Sequence, residues 1–283
     1  MTSAEKKSLA LTAVSVREGV LTGTHGAKAG HPGGSLSAAD MFTYLYFKEM
    51  RVDPKNPKWE DRDRFVLSKG HTAPGLYAAL AHRGYFPVED LATLRHMDSY
   101  LQGHPNMNTV PGVDMSTGSL GQGISAAAGM AKGLKYLGKD SSVYTLLGDG
   151  ELAEGQVWEA AMFAAHYKPD NLCVIVDLNG LQIDGPTKDV MNSAPVDAKL
   201  EAFGCDVVTI DGHDFDQIET AFARFHANRG SGRPTAILMK TTKGKGVSYM
   251  ENQVDWHGKA PNDDEYARGM SDLAAIRAAL EVQ

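Results

Sequence analysis

Only two cysteines occur in the 283 residues, Cys173 and Cys205, and both sit inside apolar runs. That argues against a disulfide framework and a cysteine-built metal site, and a reducing cytoplasm is the expected location. Long hydrophobic runs are missing as well: no stretch approaches the roughly 20 apolar residues of a membrane span. The N-terminal segment carries Glu5, Lys6, Lys7, Arg17 and Glu18 among its apolar residues, the pattern of an amphipathic helix and not of a signal peptide. Nor is there a surplus of positive charge. With a formal net charge of −7, neither nucleic acid nor a membrane surface is an expected partner. No internal repeat and no linker rich in Pro, Gly or Ser divides the chain, so one domain spanning 1–283 is the economical reading, with a C-terminal helical tail from about residue 263.

What the sequence does contain is a globular mixture of 42% hydrophobic and 22% charged residues, with 30 glycines concentrated in turns. Thr2 to about Gly23 reads as a helix. A second helix is expected from Ser35 or Ser37 to about Met50, with either serine as its cap. "RFVLSKGH" reads as a strand ending at Gly70 and His71, and "TAPGLYAALAHRG" as a helix. His96 to Ser119 is expected to be a long loop, and loops of that length are usually functional or disordered. "LGQGISAAAGMAKGLKYLG" is a small-residue helix. From there strands at 143–147, 172–178, 207–210 and 235–241 alternate with helices at 154–167, 196–203 and 215–228. Such alternation implies an α/β fold, a mostly parallel sheet with helices on both faces.

Two of these strands end in polar turns, Gly148-Asp149-Gly150 and Asp177-Leu178-Asn179-Gly180. Ligands of open parallel sheets gather at the carboxyl ends of strands. A carboxylate and a carboxamide there suit Mg²⁺ or Ca²⁺, and a helix starting just after Gly150 would aim free N–H groups at an accompanying anion. Each turn alone is ordinary; one βαβ unit apart, the two together are specific. "DMSTGSLGQGIS" sits in a poor context for a nucleotide fingerprint, which expects a strand immediately before and an acid about 20 residues later.

Gly148-Asp149-Gly150 followed by Asn179 resembles the thiamine diphosphate motif. The order of "AGHPGG", "LSKGH", "GHP", "STGSLGQGI", "GDGELAEGQVWEAAMFA" and "WHGKAP" resembles transketolase from about residue 10 to 265. The resemblance implies that Asp149, Asn179 and the main-chain carbonyl of Leu181 hold Mg²⁺, with Ca²⁺ or Mn²⁺ as substitutes, and that Gly148 and Gly150 adjoin the cofactor diphosphate. It places His71 and His257 near that diphosphate and His31, His104 and His257 as catalytic groups along the sugar channel. Gly118 and Leu120 would contact the aminopyrimidine. Ile183 would pack on the cofactor, a buried strand-end isoleucine being the alternative. Glu154 and Glu159 would belong to a carboxylate network at a subunit interface. "KTTKGKG", Lys240 to Gly246, reads on its residues as a solvated loop, and in the family it leads to the turn bearing His257.

In transketolases a glutamate that activates the cofactor, and arginines that grip the sugar phosphate, come from a pyrimidine-binding module following the part seen here. The expectation is therefore an N-terminal subunit of a split transketolase. It would transfer a two-carbon ketol unit from a ketose phosphate to an aldose phosphate, active only with a C-terminal subunit, as α2β2. Alternatives are a subunit of a related enzyme such as 1-deoxyxylulose-5-phosphate synthase, or a silent cofactor-binding regulatory subunit. The intact Asp149, Asn179 and histidine set argues against silence.

Overall fold

The computed structural model describes residues 1–282. In chain order the elements are α1 (Ser3–Ala27), α2 (Pro32–Ser37), α3 (Ala39–Tyr44), β1 (Arg64–Leu67), α4 (Ala73–Arg83), α5 (Gln122–Tyr136), β2 (Val143–Gly148) and α6 (Gly155–Tyr167). Then follow β3 (Leu172–Leu178), β4 (Leu181–Gln182), β5 (Gly185–Pro186), α7 (Thr187–Val190), α8 (Val196–Ala202), β6 (Asp206–Asp211), α9 (Phe215–Ala227), β7 (Thr235–Lys240) and α10 (Asp263–Val282).

Five strands form one sheet in the order β1-β2-β3-β7-β6, every neighbouring pair parallel. All five carboxyl ends therefore lie along one edge. Successive side chains of a strand point to opposite faces, and here both faces are apolar. Tyr144, Leu146, Cys173, Ile175, Ile237 and Met239 join one core with Phe42, Leu76 and Phe222 from α3, α4 and α9. Leu147, Val174, Val176 and Leu238 join the other, with Ile124, Val157 and Leu200 from α5, α6 and α8. Each fully buried Val, Leu or Ile contributes about 1.5–3 kcal/mol, which is why the strands read as near-continuous apolar runs. α10 packs on α1 in a third cluster around Leu21, Trp256 and Leu273. Both cysteines are free and buried.

The differences from the expected elements have local causes. α1 opens with a capping box, Thr2 Oγ1 accepting from the Glu5 N–H and the Glu5 carboxylate accepting from the Thr2 N–H. It then runs four residues past Gly23. A Cβ at Gly26 would stand 2.5 Å from the Ala92 carbonyl oxygen, so glycine lets the helix close on segment 88–94, and packing outweighs the residue's low propensity. The second expected helix starts earlier, at Pro32, and breaks at Ala38. Neither Ser35 nor Ser37 caps it: their hydroxyls, inside the helix, donate to the His31 and Gly34 carbonyls. No helix starts at Gly150; a 3₁₀ turn spans Gly150–Ala153 and α6 begins at Gly155. The β4–β5 hairpin and α7 are too short to leave a periodic signal.

Candidate active site

Gly148 lies opposite Asp177 in the sheet register, which sets Asp149 beside the Asn179 turn. Asp149 is 6% exposed. Its carboxylate accepts N–H bonds from Gly150 at 2.8 Å and Gly180 at 2.6 Å. Burial, and then the charge of Asp177, push its carboxyl up to about 6. A buried carboxylate in that condition is a seat for a cation. Asn179 Oδ1 accepts the Leu181 N–H at 3.1 Å, and the Leu181 carbonyl accepts from Lys243 Nζ at 3.3 Å. The Lys243 ammonium is thus the cation at that carbonyl, and its burial draws its pKa down to about 8.

Among the described residues no group of three or more His, Cys, Asp or Glu side chains is placed to hold a metal. The available donors are a carboxylate, a carboxamide and a main-chain carbonyl. An all-oxygen set fits a hard divalent ion such as Mg²⁺. The anionic side of the fit is met by Gln182, which packs over Gly150 and whose buried Nε2 has no hydrogen-bond partner among the described residues. Leaving such a donor unpaired costs about 1–3 kcal/mol, and an oxygen of a bound diphosphate would remove that cost. These groups line a cavity of about 120 Å³ with His71, Leu120, Gly148, Ile183 and His257.

Four histidines converge beside it. His31 precedes α2, His71 and His257 sit in 3₁₀ turns, and His104 comes from the long loop. The His31 ring centroid lies 5.2 Å from that of His71, 5.5 Å from His257 and 6.4 Å from His104, and His71 stacks on His257 at 5.1 Å. Gly70 permits this: a Cβ there would meet Thr117 and Gly118 backbone at 2.8 Å, so the long loop can cross directly over the His71 turn. Burial, then Arg95, draws His31 down to about 4; burial, then Lys243, draws His257 to about 3. His71 is held well below the ordinary value, by burial and then Lys69, and His104 is lowered by burial and then Arg95. Lys243 Nζ lies 2.9 Å from His257 Nδ1. An ammonium only donates, so the proton of neutral His257 is on Nε2.

Neutral histidines of this kind contribute stability that is present above pH 6.5 and lost as pH falls toward 4, where they must charge. The expected result is that imidazole NMR signals of His31 and His257 keep their neutral shifts down to pH 5. Signals titrating near 6.5 would contradict the burial.

Gly118 lines an adjoining groove from Met115 to Gly123 and lies against the His104 ring. Ile183 is 63% exposed at the cavity rim, so the alternative of a buried core isoleucine is corrected. Glu154 and Glu159 do not line the cavity; both are exposed, Glu159 on α6 and Glu154 just before it, beside Gly121. The solvated-loop reading of "KTTKGKG" fails at Lys243, which is 1% exposed.

Sequence reasoning passed over five groups: Lys243, Gln182, Lys69, Asp177 and Glu151. Glu151 is buried and its carboxylate accepts from the Ser68 hydroxyl and the Gly121 and Gly148 N–H groups, tying β1, α5 and β2 together at the site. Its only signal was its place in "GDGE". A second polar cluster fixes the Lys243 loop. The Arg17 guanidinium donates to both oxygens of Asp40 at 3.1 and 2.6 Å and to the Lys245 carbonyl at 3.1 Å. His213 Nδ1 is 2.7 Å from the same carboxylate, and its Nε2 accepts the Thr242 N–H at 2.9 Å.

Comparison with known proteins gives a consistent result. The sequence pattern described as transketolase, thiamine diphosphate binding domain, matches residues 12–275. The 6-deoxy-6-sulfo-D-fructose transketolase subunit of Clostridium sp. (strain MSTE9) is 46% identical over 86% of this chain and 88% of its own length. A subunit of the apulose-4-phosphate transketolase of Actinobacillus succinogenes is 41% identical over 95% of each chain. The transketolase structure from Campylobacter jejuni superposes with a TM-score of 0.86 at 32% identity, covering 96% of this chain and 45% of that one. This chain thus spans less than half the length of that solved structure.

Proposed function

Because this chain belongs to the family of transketolase thiamine diphosphate-binding domains, we propose that it is the cofactor-binding subunit of a two-chain transketolase that moves a two-carbon ketol unit from a ketose phosphate to an aldose phosphate. The observation that carries the reading is the buried Asp149 carboxylate facing an all-oxygen donor set, with four histidines beside it. Thiamine diphosphate, when bound, supplies the carbon nucleophile and electron sink needed to break a C–C bond next to a carbonyl. Asp149, Asn179 and the Leu181 carbonyl would hold Mg²⁺. Lys243 and the unpaired Gln182 Nε2 would serve the diphosphate as cation and donor.

His31, His104 and His257 then have the sugar as their partner. A neutral imidazole offers one donor and one acceptor nitrogen. With Nδ1 engaged by Lys243, His257 presents Nε2–H as a donor for the carbonyl or a hydroxyl of the ketose. The His31 Nδ1 is buried without a hydrogen-bond partner among the described residues, which supports a ligand hydroxyl as the missing one.

The relatives that match along most of their length are subunits, which implies a partner chain. We assign that role to a C-terminal subunit carrying the pyrimidine-binding module, in an α2β2 assembly. The outer face of α6 supports a contact there: Glu159 stands with Met162, Phe163 and Tyr167, all exposed in the single chain, and exposed apolar patches of this kind mark interfaces; Glu154, also exposed, precedes the helix beside Gly121. Among the described residues no helix is long and apolar enough to cross a membrane. A cytoplasmic, single-domain subunit is our reading.

The test is reconstitution with the candidate partner, Mg²⁺ and thiamine diphosphate, assayed with xylulose 5-phosphate and ribose 5-phosphate. Ketol transfer only in the mixture is expected. Transfer at full rate by this chain alone would overturn the two-chain assignment. Tight cofactor binding without turnover of these sugars would direct the search to another donor, such as those named in the relatives.

A further inference from the structure

We propose that Asp177, neutralised by Lys69, is a positioning residue that turns the oxygen of the Asn179 carboxamide toward the Asp149 cradle. The inference rests on the metal-binding reading of that cradle. Asp177 closes β3 and is fully buried, and Lys69, just beyond β1, is 1% exposed. Their ion pair measures 2.5 Å. Asp177 Oδ2 also accepts from the Ser37 hydroxyl at 2.6 Å and from Asn179 Nδ2 at 3.3 Å, and Oδ1 accepts from the Thr241 hydroxyl. Lys69 Nζ donates in addition to the Gly34 carbonyl at 3.1 Å. One carboxylate thus gathers the ends of β1, β3 and β7 and the α2 helix.

The chemistry of the carboxylate decides the orientation. An ionised carboxylate only accepts hydrogen bonds, whereas a carboxamide has one donating end and one accepting end. Asp177 can therefore hold only the NH₂ end of Asn179. Oδ1 is left on the other side, where it accepts from the Leu181 N–H and keeps a lone pair for a cation. Without the ionised acid the Leu181 N–H alone is left to distinguish the two ends of the amide, and a turned amide would present N–H groups to the metal.

Stability alone does not account for the pair. Buried ion pairs are often replaced by apolar residues at no cost, so retaining a buried charge two residues from a donor calls for a directional role. Groups that orient metal ligands typically matter 10–100-fold in metal affinity.

The experiment uses Mn²⁺ as probe, with thiamine diphosphate present, and reads binding by water-proton relaxation alongside thermal melting. In D177N/K69M the ion pair is removed from both sides, and the amide introduced at position 177 can donate to Asn179 Oδ1 and turn it. Mn²⁺ affinity is expected to fall about 10–100-fold with melting near that of the wild type. Adding N179D, whose two oxygens are equivalent, should restore most of the loss. Unchanged affinity in D177N/K69M would overturn the inference while leaving the cradle intact. Absence of Mn²⁺ binding by the wild type would overturn the metal-binding reading itself. A readout independent of any variant is the side-chain NH₂ of Asn179 in the wild type: slow hydrogen exchange is expected, and a freely turning, unprotected amide refutes the proposal.

Discussion

Exchange of Asp149 for asparagine is expected to shift stability in the variant's favour as pH rises from 4 to 7, and to remove the stabilisation expected of the wild type on addition of Mg²⁺ and thiamine diphosphate. The first effect follows from the raised carboxyl. Its pKa is about 6 in the fold against 3.8 for an unperturbed aspartate. A carboxyl raised on folding costs nothing below pH 3.8, where it is protonated in both states. Its cost grows as pH rises toward 6, because the unfolded chain ionises first. The full difference corresponds to roughly 3 kcal/mol. The substituted carboxamide carries no charge and escapes that cost, although its NH₂ end accepts nothing, so either the Gly150 or the Gly180 N–H loses its acceptor. Melting curves of the two cofactor-free proteins between pH 4 and 8 give the answer, and a gap that does not change with pH would contradict the buried-charge account. The second effect comes from losing the one anionic donor of the cradle, and a fall in divalent affinity on the order of 100-fold or more is expected by calorimetry. The same substitution therefore relieves the empty fold and disables the loaded one, a trade expected of functional sites.

Arg17→Met is the second large effect, far from the cavity in sequence and direct in consequence. Arg17 and Asp40 are 6% and 5% exposed. Burial alone would raise Asp40, but Arg17 and the His213 hydrogen bond outweigh it and hold the carboxyl at about 2. In the wild type this contribution is present above pH 3.8 and lost as pH falls through about 2. Removing the guanidinium leaves a buried acid short of its partner, at a cost of about 3–5 kcal/mol, measurable by urea denaturation at pH 7. The double variant R17M/D40L should regain most of that stability. Cofactor binding should not follow it, because the Lys245 carbonyl has lost Arg17, and His213, its acid removed, no longer holds the Thr242 N–H firmly. Recovery of both together would show that the cluster serves stability only.

The parts of this molecule legible in the sequence are those governed by burial and by local turns. β3 reads correctly from Leu172 to Leu178 because both its faces are covered. The four clustered histidines stand out because glycine-flanked turns carry them off any periodic face. The missed groups belong to contacts between distant segments. Lys69 meets Asp177 across 108 positions and Asp40 meets His213 across 173, and neither partner announces the other. The break at Ala38 has the same origin. The "PGGSLS" segment looks like a cap, but its serines turn back onto the His31 and Gly34 carbonyls, and Ser37 also reaches Asp177. Glu151 and Lys69 lay within recognised motifs and were hidden by their more familiar neighbours.

The groups around the cavity come from turns scattered between His31 and His257, and the central pairing of the sheet joins Cys173 to Thr235. The 148–183 segment carries the oxygen donors, but Lys69, His71, Leu120, Lys243 and His257 close the cavity from far along the chain. Thiamine diphosphate can therefore engage only a chain that has completed its longest-range contacts, the slowest to form. Binding at a hundred times the dissociation constant adds about 2.7 kcal/mol to the folded state and nothing to the unfolded one. Cofactor supply thus shifts the folded fraction of this polypeptide, and that contribution shrinks as thiamine diphosphate falls toward its dissociation constant, while half the sites are still filled.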